Sequence, residues 1–134
     1  MAQRLFTEGK QKIFEAEFDW VSDAYHALLL PSSYVYDGTD VFISDLGTIT
    51  ARVALASKTN TDGVLDCDDP EFASVASGST VGSIVYAKYT GVDATSPLLF
   101  HDNEAAGLPY STTGGNIKIA VSASGLLTID TTMD

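Results

Sequence analysis

Residues 82–100, GSIVYAKYTGVDATSPLLF, constrain the fold more than any other stretch of this chain. In an extended strand, Ile84, Tyr86 and Lys88 fall on one face, and Val85, Ala87 and Tyr89 on the other. Both faces are largely apolar, so the strand has to lie centrally, with protein above and below it. GVDATS then supplies a reversal. Pro97 opens the return run at the strand position where a missing backbone donor costs least, and Leu98, Leu99 and Phe100 rejoin the core. The expectation is a central hairpin around which the remaining apolar runs must arrange themselves.

Upstream, residues 5–14, LFTEGKQKIF, have the spacing of a short amphipathic helix. Leu5, Phe6, Ile13 and Phe14 share a broad apolar face and Glu8, Lys10, Gln11 and Lys12 stay wet. Gly9 weakens such a helix by about 1 kcal/mol relative to alanine. At this length it cannot stand alone, so it must dock, either on its own domain or on a neighbouring subunit. Residues 24–30, AYHALLL, read as a strand buried on both faces and ended by Pro31, with His26 as a strand-face histidine that needs a hydrogen-bond partner.

Asp37-Gly38 marks a reversal, and residues 39–46 can form one helical turn capped by Thr39 or Asp40. TARVALAS, residues 50–57, is a strand whose Arg52 faces solvent or an acidic neighbour. KTNTD with Gly63 turns through Asp-Gly into residues 64–67 as a hairpin. Asp62, Asp66, Asp68, Asp69 and Glu71 form the densest acidic cluster. They lack the loop glycine and carboxylate spacing of a calcium hand, and the expectation is that they cap turns around Pro70 and remain solvated while Phe72 and Val75 return to the core. HDNEAAG, residues 101–107, looks like a polar, flexible loop, so His101 beside Asp102 and Glu104 is expected to be solvated rather than catalytic. Residues 116–121 alternate, with Ile117, Ile119 and Val121 inward. Through a turn at residues 122–125 they are expected to pair with residues 126–129 as a closing hairpin, followed by a loosely ordered tail, residues 130–134.

Charge narrows the partners. The net charge is −11, and residues 1–12 carry Arg4, Lys10 and Lys12 against Glu8, a net of +2, which leaves −13 on the remainder. A surface this negative repels phosphate backbones and anionic lipid, so neither direct nucleic-acid binding nor membrane association is expected. The single cysteine, Cys67, allows no intrachain disulfide and no cysteine-built zinc cluster. Glu8, Lys10 and Lys12 break any signal-peptide core, and no apolar run approaches the roughly 18 to 20 residues that span a bilayer. These features predict a protein kept in the cytosol or assembled there into something larger. No nucleotide loop, metal-ligand spacing or triad is evident, so the expectation is a noncatalytic protein without a cofactor.

With 134 residues, about seven short apolar runs separated by turn signals and one helix at the start, the pattern is that of a single mainly β domain. It is an antiparallel β-sandwich or barrel-like fold, with residues 1–16 as a helical docking element. The sequence resembles a family of small tailed-bacteriophage virion structural proteins. The likeness runs over roughly residues 5–129 and lies in LFTEGKQKIF before AYHALLL, in YVYDGTDVFISDL, in DGVLDCDDPEFASV, in IVYAKYTGVDATSPLLFHD and in GGNIKIAVSASGLLTI. It departs from that family at Ala120 and Val121, where relatives often carry a tryptophan. The resemblance implies a virion component, a head decoration or cement protein that contacts the major capsid protein or other virion subunits, with a homo-oligomer as a further arrangement. The candidate contact residues are Leu5, Phe6, Ile13 and Phe14 of the helix and the loops around Asp37, Asp68 and His101. A tail-associated module or a host-surface glycan binder, with Tyr34, Tyr36, Tyr86, Tyr89 and Tyr110 as stacking residues, is the competing class. A hydrolase built on His101 is a third.

Overall fold

The computed structural model describes residues 3–105, 107–121 and 125–128. The expected tail, residues 130–134, and most of the expected turn at residues 122–125 lie outside them. Among the described residues the chain is mainly β, 35% strand and 12% helical, with antiparallel sheets and one α-helix. The hairpin anticipated at residues 82–100 is its centre: β7 (Thr80–Lys88) pairs with β8 (Leu98–Asp102), matching Tyr86 to Phe100 and Val85 to His101. On its other side β7 pairs with β2 (Tyr25–Pro31), which in turn pairs with β3 (Ala51–Ala54). β1 (Gln3–Leu5) closes the far edge on β8, giving the order β1-β8-β7-β2-β3, and β9 (Tyr110–Ser111) pairs with the start of β7.

Alternation along these strands separates two apolar clusters, one on each face of the sheet. Tyr25, Ala27 and Leu29 of β2, Ile84 and Tyr86 of β7 and Phe100 of β8 pack with Leu65, Phe72 and Ile117. Those last three side chains come from two small sheets: β4 (Thr59–Thr61), β5 (Val64–Asp66) and β11 (Leu127–Thr128) in one, β6 (Glu71–Phe72) with β10 (Ile117–Lys118) in the other. The result is the layered, sandwich-like core that short alternating strands require. On the opposite face Leu28, Leu30, Val85, Ala87 and Leu98 pack under Phe6, Ile43 and Leu46, with Tyr34, Tyr36 and Ile49 at the margin. This second covering layer is not a sheet. It is the irregular segment 34–49, held by a 3₁₀ turn at Ile43–Leu46 whose Asp45 carboxylate reaches back to the Val41 and Phe42 N–H groups at 3.0 and 2.9 Å. The cap thus comes from Asp45 inside the turn, not from Thr39 or Asp40.

Three expectations need correction. The helix α1 is shorter than anticipated, Thr7–Phe14, because Leu5 belongs to the edge strand β1 opposite Phe100 and Phe6 is the residue before the helix. Phe6 is fully buried, its N–H bonds to the Leu99 carbonyl at 3.1 Å, and the Thr7 N–H bonds to the Gly38 carbonyl at 3.0 Å. The segment is therefore sewn into its own domain. The closing hairpin also does not form: Ile117 and Lys118 pair with Phe72 and Glu71, whereas Leu127 and Thr128 pair with Leu65 and Val64. Edges left open by β5 and β6 capture the two runs separately. Finally, His101 and Asp102 are not loop residues. They end β8 and are 3% and 8% exposed.

Gly9 acquires a different role from the one its helix propensity suggests. A Cβ there would lie 2.7 Å from the Leu98 carbonyl oxygen and 3.0 Å from that of Leu99, so α1 can approach β8 only with glycine at this position. The propensity gain of about 1 kcal/mol for alanine is outweighed by a backbone collision that flexible side chains cannot relieve. We expect Gly9→Ala to lower stability by about 1–3 kcal/mol in urea denaturation, the usual cost of overpacking. Phe14→Ala, at a side chain that is 87% exposed, should change it by less than about 0.5 kcal/mol. A stabilised Gly9→Ala protein would contradict this packing.

Candidate functional site

His101 lines a cleft of about 390 Å³ at the β1 edge of the sheet. Strand pairing places Arg4, His101, Val85, Leu28 and Arg52 in one row across the sheet, each opposite the next. The row ends in an arginine at each edge. Segment 32–36 lies over the Arg4 end, and Gly82 lets it sit close: a Cβ on Gly82 would meet the Ser32 Cα at 2.7 Å. Tyr34 and Tyr36 consequently tilt onto the His101 ring at centroid distances of 5.8 and 5.3 Å, while the Arg4 guanidinium lies 5.2 Å over the Tyr36 ring. Both phenol hydroxyls are engaged, Tyr34 donating to Asp40 at 3.0 Å and Tyr36 to the Leu5 carbonyl at 2.8 Å.

Two buried polar atoms at this cleft, His101 Nδ1 and Ser83 Oγ, have no hydrogen-bond partner among protein groups. Each such atom forgoes about 1–3 kcal/mol, a cost that proteins concentrate where a ligand is to be met. Burial holds the His101 imidazole below its ordinary pKa of 6.5, against the opposing pull of Asp102, and Arg4 adds to the depression. Among the described residues no carboxylate lines the cleft, although the chain carries 18 acidic residues. Among the described residues no three His, Cys, Asp or Glu side chains converge as metal ligands, and no helix is long and apolar enough to cross a membrane.

The other end of the row carries the same residue types in a closed form. Arg52 lies 5.2 Å over the Tyr89 ring, Tyr89 stacks on His26 at 4.0 Å, and the Arg52 guanidinium takes both oxygens of Asp93 at 3.0 Å. Arg52 Nε also donates to His26 Nδ1 at 3.3 Å, the partner that His26 required. This network fastens the turn at residues 91–96 to β2 and β3.

The other anticipated contact residues are scattered. Leu5 is half-buried in β1, Phe6 fully buried, and Ile13 packed against the larger core cluster, so only Phe14 projects into solvent. Asp37 is exposed but accepts from the Thr39 N–H and hydroxyl, which hold its carboxyl below the usual range. Asp68 is exposed, its N–H bonded to the Ala56 carbonyl. The acidic cluster around it does cap backbone: Asp66 accepts from Cys67 N–H and Asp69 from Val121 N–H, both at 2.8 Å. Burial and the surrounding aspartates push the Cys67 thiol up to about 11. His101 and Asp102 are successive strand residues and so face opposite sides of the sheet, which separates the pair that a hydrolase would have used. Of the proposed stacking tyrosines, Tyr86 is fully buried and Tyr89 packs against both His26 and Arg52, whereas Tyr34 and Tyr36 line the cleft. Arg4, Ser83 and Asn103 were not anticipated. A lone serine within the apolar run SIVYA was the one available sign.

Comparison with known proteins finds no matching family model, no matching curated protein and no matching solved structure.

His26 and His101 give the fold a pH dependence of definite sign. Burial, the larger cause in both, with a nearby arginine, lowers their folded-state pKa values below 6.5. The unfolded chain therefore binds more protons just below that pH, so their contribution is complete above it and is lost as pH falls through the folded values. Urea midpoints should fall between about pH 7 and pH 5, and the slope should flatten in the His26→Asn/His101→Asn double variant. A wild-type midpoint that is level or rises on acidification over that range would contradict the assignment.

Proposed function

We propose that this chain is a noncatalytic structural protein of a tailed-bacteriophage virion, a head decoration or cement protein that binds the capsid lattice. The sequence resemblance at residues 34–46 and 84–102 supports this reading. Those two stretches build much of the irregular covering layer and the central hairpin. A cement protein stabilises a shell by binding the assembled form in preference to free subunits.

The observation that carries the docking role is Phe14. It is 87% exposed at the carboxyl end of α1, and the helix beneath it is fixed to the domain by buried Phe6 and by Gly9 against β8. A large apolar side chain projecting from a rigid base is the kind of anchor that dominates protein–protein contacts, because little ordering entropy is lost when it inserts. The acidic remainder of the surface suits a basic partner and opposes contact with packaged nucleic acid. The docking element is thus the tip of the helix, with Leu5, Phe6 and Ile13 acting as its foundation.

Imaging of purified virions at subunit resolution tests the assignment. Copies following the head lattice are expected; density confined to the tail would replace it with the tail-associated alternative. Phe14→Asp should leave thermal stability unchanged and reduce incorporation into particles by about tenfold or more, the scale of a lost interface anchor. Full incorporation of a folded Phe14→Asp protein would remove Phe14 from the contact.

A further inference from the structure

On the face of the sheet covered by segment 34–49, β7 buries Ala87 and Val85 and then, at the next position on that face, Ser83. Ser83 stands opposite Leu30 of β2, and His101 stands opposite Val85 on the other side of β7. Two polar side chains thus continue a run that is otherwise apolar. Each is 3% exposed, and Ser83 Oγ and His101 Nδ1 have no hydrogen-bond partner among protein groups. Alanine would fit at position 83 without burying a hydroxyl, so packing does not account for the serine. Both residues line the cleft, and the rest of its lining is of two kinds. Tyr34, Val35 and Tyr36 make an apolar wall, the two rings held in place through their hydroxyls by Asp40 and the Leu5 carbonyl. Ser32 and Asn103, both exposed, add neutral polar groups that solvent reaches.

This lining selects against charge. Arg4 is already engaged within the protein, no carboxylate lies among the described lining residues, and burial keeps the His101 imidazole neutral near pH 7. We propose that the cleft binds one neutral pyranose ring, a hexose or the hexose unit that ends a glycan. Sugar hydroxyls both donate and accept, which suits the serine hydroxyls and the Asn103 amide together. Ser83 turns about a single side-chain torsion with three staggered positions, so its hydroxyl can swing to meet a ligand in the cleft. Tyr34 and Tyr36 tilt onto the His101 ring, and their side chains move as a ligand hydroxyl reaches Nδ1. The same two rings meet the apolar C–H face of the sugar. A volume of about 390 Å³ lies at the small end of ligand pockets, which run from about 300 to 1,000 Å³, and so admits one ring rather than a chain of them. The proposal stands on the cleft, apart from the capsid reading, and asks nothing of Arg4.

The test uses the full chain, isotopically labelled and titrated with D-glucose, D-galactose and D-mannose, with glycerol, acetate and inorganic phosphate in parallel. Amide, tyrosine side-chain and histidine ring-nitrogen NMR signals are followed. At least one hexose is expected to give saturable shifts at Tyr34, Tyr36, Ser83 and Asn103 and to move the His101 Nδ1 signal while those of His26 stay still. Glycerol, which has hydroxyls but no ring face, should bind about tenfold or more weakly, as should acetate and phosphate, which bring charge. Ser83→Ala should weaken the hexose by about tenfold while the melting temperature stays level or rises, because it removes a buried hydroxyl that the fold does not use. A methyl glycoside that binds as tightly as the hexose would assign the end unit of a glycan, and binding of the free sugar alone would assign a monosaccharide. No saturable shift with any of the three hexoses up to about 50 mM, shifts located away from the cleft, glycerol, acetate or phosphate bound as tightly as the hexose, or hexose binding unaltered by Ser83→Ala would each overturn the proposal.

Discussion

Burial of β7 on both faces is the constraint on which the remainder of the structure depends. Val81, Ile84 and Tyr86 point into one apolar cluster, Val85 and Ala87 into the other, and every one of them is essentially inaccessible to water. Five such side chains exclude any arrangement in which the main sheet has a wet face, because burying each of the larger ones contributes about 1.5–3 kcal/mol. Two covering layers follow. Short strands from the middle and end of the chain make one. The other is built from segment 34–49 and Phe6, which have too few alternating residues to form a sheet and are tied down instead by Asp45, by the tyrosine hydroxyls and by backbone bonds from Phe6 and Thr7.

That irregular layer explains why the cleft lies where it does. A sheet would have extended over Ser83 and His101 and paired their neighbours. Segment 32–36 instead passes over Gly82 and turns away, leaving a concavity floored by two polar atoms that no protein group satisfies. At the opposite edge the turn at residues 91–96 swings Asp93 onto Arg52 and closes the equivalent space.

How much of this was legible in the sequence follows from the range of each signal. β2, β7 and β8 are long enough for alternation and apolar runs to declare them, and the Asp62-Gly63 turn declares the β4–β5 hairpin, where Thr61 pairs with Val64. β1 was hidden because three residues carry no periodicity, so Leu5 and Phe6 were absorbed into the helix that follows. Pairing choice was hidden for a different reason. Residues 116–121 and 126–129 alternate well enough to pair with each other, and nothing local records that the edges of β6 and β5 compete for them. His101 was misplaced because the polar HDNEAAG suggests a loop, whereas its burial is set by Arg4 and Val85 on either side, 97 and 16 residues away. The cleft is illegible for the same reason, since its lining is drawn from four separate parts of the chain.

The central claim is that the amino-terminal segment is a structural part of the domain, completing both the sheet edge and the second covering layer, and that only its tip is left for contact. Native-state hydrogen exchange measures this directly. The Phe6 amide, bonded to the Leu99 carbonyl, should be protected to nearly the same degree as the amides of Val85 and Tyr86, because its release requires the Phe6 ring to leave the core. Exchange of Phe6 at the rate of an unstructured chain, with β7 still fully protected, would show that the segment is a free arm and would contradict the account.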